Sequence, residues 1–266
     1  MSQALQYQDE QSDFVKFWNE TLCDKFNKYQ NILMDGLSYH SRVPLAQLEL
    51  PAGSQVLDVG CGWGDTAIEL AQKVGPNGRA LGIDCVDDFL DYGKTEAKTQ
   101  NVRNVDFIAA DVQTYPFRSD YDLCFSRFGI MFFENPVFAM RNIRKSLKPG
   151  GRLLFITWRT INDNPWFGVP KKLVLDFLPP PSDGAQTCGP GPFSMASQNM
   201  VTMQLQVAGF ENITFQRNDG TVMVDRDVEQ AIQAVDKRRY RINRKKAALI
   251  NSERTRLRAK ISRIKI

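Results

Sequence analysis

"VLDVGCGWGD", Val56 to Asp65, decides how the rest of the chain is read. An apolar run of strand length ends in three glycines at alternate positions, Gly60, Gly62 and Gly64, and Asp58 stands two residues before the first. Glycines between a strand and a helix remove the side chains that would hold a ligand off the backbone, so N–H groups can approach it closely. The same glycines can also serve only to make a tight turn. Two details narrow the ligand. Asp65 occupies the place where the dinucleotide-binding fingerprint carries its third glycine. Asp58, at the strand end, repels a pyrophosphate and favours a cation such as an amino group. The ligand implied is an adenosyl compound that carries an amino acid instead of phosphates.

Outward from this turn the chain alternates β-rich runs with helical stretches. Strands are predicted over Gln55–Val59, Arg79–Asp84, Val105–Ala110, Tyr121–Ser126 and Gly151–Trp158, and helices over Asp65–Val74, Val86–Asn101 and Pro136–Leu147. Strands separated by helical crossovers give an α/β fold, with a parallel sheet covered on both faces. Upstream, Phe14, Phe17, Trp18, Leu22 and Phe26 recur at three- and four-residue spacing, which predicts helix from about Asp13 to Leu50. Beyond Trp158 the rhythm gives way to a Pro- and Gly-rich stretch with one helical island at Trp166–Leu178. A helix over Ser197–Ala208 follows, stopped by Gly209. "NITFQRNDGTVMVD" then reads as an antiparallel hairpin turning at Asn218-Asp219-Gly220. The expected organisation is an N-terminal helical cap (1–50), a core (51–225) with a lid or insertion at 160–197, and a basic tail, helical or disordered (226–266).

Composition sets the outer bounds. The 266 residues are 42% hydrophobic and 24% charged, the balance of a globular protein able to bury a core. The longest apolar runs are strand-sized, so no transmembrane segment is expected. The polar, acidic start lacks the basic and apolar regions of a signal peptide. Cys23, Cys61, Cys85, Cys124 and Cys188 are scattered, odd in number and without a CxxC pair. No disulfide framework or metal site is expected from that pattern, and a reducing, cytoplasmic setting fits it. The net charge of +4 is unevenly spread, because Lys and Arg predominate from Lys237 to Lys265, with Glu253 the only acid among them.

Two further acids end strands. Asp84, in "ALGIDC", stands about twenty residues beyond the last glycine, where this architecture places an acceptor for the ribose hydroxyls; a helix N-cap is its other reading. Asp111, in "FIAADV", offers an acceptor for the adenine amine or a turn-forming aspartate. The ordered set "VLDVGCGWG", "GID", "AADV", "YDLCFSRFGIMFF" and "LKPGGRLLFITWR" resembles the class I S-adenosylmethionine-dependent methyltransferases, and within them the UbiE-like small-molecule group. The resemblance runs from about Gln55 to Trp158, and more loosely to Val224. It implies a Rossmann-like, seven-stranded sheet, mostly parallel, with the last strands an antiparallel pair. It implies S-adenosyl-L-methionine as cofactor. Asp58 and the turn Gly60, Cys61, Gly62 and Gly64 would hold its methionine part, Asp84 with Cys85 its ribose side, and Asp111 with Val112 its adenine. Ser126 and Arg127 would face the methionine carboxylate and the reaction centre.

The activated methyl group comes with the cofactor, so the protein must align a nucleophile and exclude water; orientation of that kind is worth roughly 7–11 kcal/mol. The candidates for a base are His40, the only histidine, and Glu134, which can equally cap the helix begun at Pro136. Phe128, Met131 and Phe132 after the fourth strand, with Trp158 and Trp166 after the fifth, are candidate walls of an apolar acceptor pocket or members of the core. "GPGPFS", Gly189 to Ser194, reads as a lid element or a surface loop.

The basic run at Lys237–Lys265 departs from the mixed-charge amphipathic helix that the resemblance implies, and it suits nucleic acid or another anionic surface as well as a solvated helix. Against a nucleic-acid substrate, "SRFG" stands where amino-methylating enzymes of nucleic acids carry Asn/Asp-Pro-Pro-aromatic, and no Pro-Cys nucleophile is present. Three functions therefore stand: methyl transfer to a small, partly apolar acceptor, methylation of RNA or protein docked through the basic tail, and non-catalytic binding of an adenosyl ligand.

Overall fold

The computed structural model describes residues 12–168 and 190–222. Its centre is a five-stranded sheet formed by β1 (Gln55–Val59), β2 (Arg79–Asp84), β3 (Val105–Ala109), β4 (Tyr121–Arg127) and β5 (Leu147–Ile156), in the order β3-β2-β1-β4-β5. Every neighbouring pair is parallel. The chain builds outward from β1 to β3, then crosses back to lay β4 on the other side of β1. That reversal opens a crevice beyond the carboxyl ends of β1 and β4, where open α/β sheets bind their ligands.

Alternation along the strands builds a core on each face of the sheet. Leu57, Val59, Ile83 and Cys124 pack on one side with Ala139, Met140 and Ile143 of α6 (Pro136–Ser146) and with Val201 and Leu205 of a later helix. Val56, Ala80, Leu123 and Phe125 pack on the other with Leu70, Ala71 and Val74 of α4 (Asp65–Val74) and Leu45 of α3 (Gln30–Gln47). Each aliphatic side chain buried this way contributes about 1.5–3 kcal/mol. α5 (Asp87–Thr99) covers β2 and β3.

Local chemistry sets the helix ends. Asn135 accepts from the Phe138 N–H at 3.0 Å and Pro136 occupies the first turn, so α6 starts one residue after its cap. α7 (Gln198–Val207) is capped by Ser197, which accepts from the Met200 N–H at 3.3 Å, and Gly209 turns the chain left-handed after it.

The N-terminal region departs from the single helix expected over Asp13–Leu50. It divides into α1 (Asp13–Phe17), a π-helical turn (Trp18–Leu22), α2 (Cys23–Lys28) and α3. The widened turn carries Asn19, whose Nδ2 donates to the Val15 carbonyl at 3.0 Å and across to the Cys85 carbonyl at 2.8 Å. A long-range tether has thus displaced regular helix.

β5 starts at Leu147, earlier than the expected Gly151, because Tyr121 pairs with Leu147 and Leu123 with Arg152, leaving Lys148–Gly151 as a bulge. The expected hairpin does not form in the part described: residues 210–222 contain no strand, and Asn218 instead donates its side-chain amide to the His40 carbonyl at 2.7 Å. Residues 223–225 of that reading, most of the helical island at Trp166–Leu178, Cys188, Gly189 and the basic tail lie outside the described residues. Among those described, no helix is long and apolar enough to cross a membrane.

Candidate functional site

The crevice is framed by the turn after β1 and the turn after β4. Gly60, Gly62 and Gly64 all have positive φ, at +63°, +54° and +81°, which explains three glycines but assigns them different tasks. A Cβ on Gly60 would lie 2.8 Å from the Gly129 Cα, so the two strand ends meet backbone to backbone. A Cβ on Gly64 would meet the Phe107 ring at 2.5 Å. At Gly62 there is nothing within 4 Å, so this is the glycine that leaves open space at the crevice.

Asp58 is fully buried on the α4 face of β1. Its Oδ2 accepts from the Thr66 hydroxyl at 2.6 Å, while Oδ1 is buried without a partner. Burial pushes its carboxyl up to about 7, against the opposing pull of the Thr66 hydrogen bond and the Arg127 charge. An orphaned buried acceptor costs about 1–3 kcal/mol, and a cationic N–H donor at Oδ1 would remove that cost.

Asp65 explains its place in the turn. It pairs with Arg127 at 2.8 Å, joining the start of α4 to the end of β4, and the Arg127 side chain is only 9% exposed. Arg127 also reaches the Ser41 hydroxyl at 3.4 Å. The residue expected to face the cofactor carboxylate is therefore engaged with Asp65. Ser126 is buried and accepts from the Ile130 N–H at 3.2 Å.

Asp84 accepts from the Gly62 N–H at 2.9 Å with one oxygen and from the Val86 N–H at 3.1 Å with the other. Burial raises its carboxyl while these backbone donors oppose the rise. Asp84 thus ties the glycine turn to β2 instead of capping α5, whose N-cap is Val86. Asp111 receives the Gln113 N–H at 2.8 Å and the Gln113 side-chain amide, the geometry of a turn-forming aspartate. Val112 beside it is buried. Cys61 is buried and Cys85 half-buried, and burial raises both thiols.

On the acceptor side, Phe128 has φ +60°, an uncommon conformation for a bulky residue that costs on the order of 1–3 kcal/mol. The strain sits where its N–H still bonds the Ile156 carbonyl at 3.0 Å and its ring stacks on Trp158, with centroids 4.0 Å apart. Trp166 packs on Trp158 at 5.2 Å. His40 meets Phe128 at 5.7 Å and Trp158 at 5.1 Å, edge to face. Its ring is buried, and burial together with the Arg127 charge lowers its pKa, which keeps it neutral at pH 7. The structure thus brings His40, Phe128, Trp158 and Trp166 together. Phe128, Met131, Phe133 and Trp158 all belong to one buried cluster, with Trp166 packed against it, and Phe132 packs on Trp18 of the N-terminal segment at 5.3 Å. Glu134 is exposed, and the cap position of α6 belongs to Asn135.

The N-terminal segment lies over this end of the sheet. Asn27 accepts from the Trp63 indole N–H at 3.0 Å, and Trp18, Cys23, Trp63, Val86 and Phe89 form one apolar cluster. A groove of about 510 Å³ beside α7, lined by Thr202, Gln206 and Gly209–Ile213, contains none of the crevice residues. Sequence reasoning missed Gly129, Thr66 and Asn218; of these only Gly129, in "SRFG" after a strand, carried a readable signal.

Known proteins resemble the chain in sequence and in fold. Residues 50–177 match the family model of a methyltransferase domain. A demethylmenaquinone methyltransferase of Staphylococcus carnosus is 26% identical over 216 residues, covering 76% of this chain and 87% of its own. The chain carries a methyltransferase domain and is similar to the class I S-adenosylmethionine-dependent methyltransferases. The methyltransferase shares its fold with an S-adenosylmethionine-dependent methyltransferase from Aquifex aeolicus, at a TM-score of 0.51 and 20% identity, covering 70% of this chain and 87% of that one. It also shares it with phosphoethanolamine N-methyltransferase 2 of Haemonchus contortus in complex with S-adenosyl-L-methionine, at a TM-score of 0.56 and 17% identity over 76% of this chain and 45% of that one. The methyltransferase uses S-adenosylmethionine, and the orphaned Asp58 Oδ1 beside an open glycine turn suits an amino-acid-bearing ligand.

Proposed function

We propose that the methyltransferase passes the methyl group to a small, partly apolar, aromatic acceptor by in-line displacement. The observation that carries this reading is the aromatic wall of Phe128, Trp158 and Trp166, which begins one residue beyond β4 and adjoins the glycine turn through the Gly60–Gly129 contact. The name of the staphylococcal relative, demethylmenaquinone methyltransferase, supports a quinone-type acceptor of the same character.

When bound, the cofactor supplies a methyl group on a cationic sulfur. The protein's share is to bind, align and dry the site. In this proposal Asp58 Oδ1 accepts from the ligand's amino group, and the backbone from Gly60 through Cys61 and Gly62 to Gly64 lies along its methionine part. Asp84 and Cys85 take the ribose side, Asp111 and Val112 the adenine, and Ser126 and Arg127 border the reaction centre. The Arg127–Asp65 pair holds the β4 end against α4, so Phe128 is presented to the acceptor at a set angle. The N-terminal segment covers the crevice and excludes water, and the domain division at 50 and 225 is part of the same proposal. A cytoplasmic location is proposed with it, in keeping with free thiols at Cys23, Cys61, Cys85 and Cys124.

Thermal unfolding with S-adenosylhomocysteine tests the cofactor residues. At about a hundred times its dissociation constant the ligand adds roughly 2.7 kcal/mol, and Asp84→Ala should lose that gain. Trp158→Ala should keep the gain and raise KM for an aromatic acceptor. A Trp158→Ala protein with unchanged acceptor kinetics would contradict the proposed wall.

A further inference from the structure

We propose that His40 Nε2 holds a hydroxyl group of the acceptor, so that the site selects hydroxylated aromatic molecules. This rests on the aromatic-acceptor reading above and adds the one polar contact which that reading lacks. A wall of Phe128, Trp158 and Trp166 gives an apolar molecule surface to lie on, but nothing that fixes its rotation in the plane.

His40 is not a satisfied core histidine. Its Nε2 is buried with no hydrogen-bond partner, and such atoms are few in native proteins. The residue is nevertheless held firmly. Its carbonyl accepts from Asn218 at 2.7 Å, and its ring stands edge-on to Tyr39, Phe128 and Trp158 at 5.8, 5.7 and 5.1 Å. Three aromatic rings thus orient an imidazole whose buried Nε2 lacks a partner. Phe128, which the imidazole touches, follows Arg127 directly and carries the strained φ, so His40 is tied to the turn that borders the cofactor crevice.

The chemistry of the missing partner follows from the imidazole. A neutral ring presents Nε2 either as an N–H donor or as a lone pair. A hydroxyl both donates and accepts, so it satisfies either tautomer, whereas an ether or carbonyl satisfies only one. A site built around such a bond rejects the analogue that lacks the hydroxyl, because the buried nitrogen is then left unpaired.

The segment at Asn218–Gly220 covers the His40 ring, a Cβ at Gly220 lying 3.3 Å from its Cε1, so in this proposal the acceptor reaches His40 past that segment. Gly220 lies so close to the Tyr39 ring that no side chain fits there. That segment is joined to the β5 side by the Arg159–Asp219 pair at 3.4 Å, with the arginine and aspartate side chains 40% and 61% exposed. Exposed pairs of this kind hold weakly, so the acceptor can displace the segment as it enters.

The chain's single histidine makes the test direct. The full-length protein, labelled with 15N-histidine and saturated with S-adenosylhomocysteine, is titrated with 1-naphthol and with naphthalene. The proposal expects 1-naphthol to move the ring-nitrogen signals, naphthalene to leave them nearly unchanged, and 1-naphthol to bind at least about ten times more tightly. In His40→Phe, which keeps an aromatic ring in the stack, the two molecules should bind alike. If both bind and the signals do not respond to the hydroxyl, or if the preference survives in His40→Phe, the assignment of His40 is overturned while the aromatic pocket stands. If neither binds, the pocket reading itself fails and His40 with it. Should His40→Phe not fold, the wild-type signals alone decide.

Discussion

Asp58 should weaken the ligand-free protein and enable the loaded one, and Asp58→Asn separates the two effects. Burial raises its carboxyl from 3.8 to about 7, so the folded state binds a proton that the unfolded state has released between those values. Stability of the ligand-free protein therefore falls as the pH rises through that window, by up to about 1.4 kcal/mol per unit. Across the whole interval the ceiling is about 4 kcal/mol. Asparagine keeps an oxygen for the Thr66 hydroxyl and carries no charge, but it buries an amide that costs about 1–3 kcal/mol if unpaired. Near pH 8 the substitution should thus stabilise the ligand-free protein by about 1–3 kcal/mol, and near pH 5 that gain should shrink or reverse. Urea unfolding of both proteins at the two pH values measures this, and subtraction cancels groups they share, such as His40. Titration with S-adenosylhomocysteine should show the opposite ranking, with binding weakened in Asp58→Asn. Parallel stability–pH profiles, or undiminished ligand binding in the variant, would refute the reasoning.

The glycines offer a paired comparison. Gly60→Ala puts a Cβ 2.8 Å from Gly129 at a positive φ and should cost several kcal/mol in urea unfolding. Gly62→Ala meets only the φ penalty, about 1 kcal/mol, yet should lose most of its affinity for S-adenosylhomocysteine by calorimetry. Asp65→Ala strands Arg127 with a side chain only 9% exposed, and should lower stability by about 1–3 kcal/mol and reduce kcat, because Phe128 is no longer held. Asn19→Ala cuts the link to the Cys85 carbonyl and should speed proteolysis within the N-terminal segment without changing the unfolding of the sheet.

The parallel sheet was legible because its signals are local. Val56, Leu57 and Val59 alternate sides around a buried aspartate, and Gly64 ends the turn where α4 begins. The ends of β1 and β2 and of α4 agree residue for residue with the pattern. Long-range bonds were not legible. The π-helical turn depends on Asn19 reaching Cys85, the β5 bulge on pairing with β4, and the fate of Asn218 on a carbonyl 178 positions away. Asn218-Asp219-Gly220 favours a hairpin locally, but Asn218 and Asp219 are committed to His40, Arg159 and Arg217 instead. At the site, residue types pointed to the crevice, while their bonding differed from the simplest reading. Asp111 is engaged within its own turn, and Arg127 is held by an aspartate that composition offers no reason to pair with it.

The most direct test of the account is transfer of labelled methyl from S-adenosylmethionine to a panel holding 1,4-naphthalenediol, bulk RNA and a basic protein. The account predicts label in the naphthalenediol fraction alone, and its loss in Asp58→Asn and Trp158→Ala. Label in RNA or protein, or none in naphthalenediol from a protein that binds S-adenosylhomocysteine, would contradict a small aromatic acceptor.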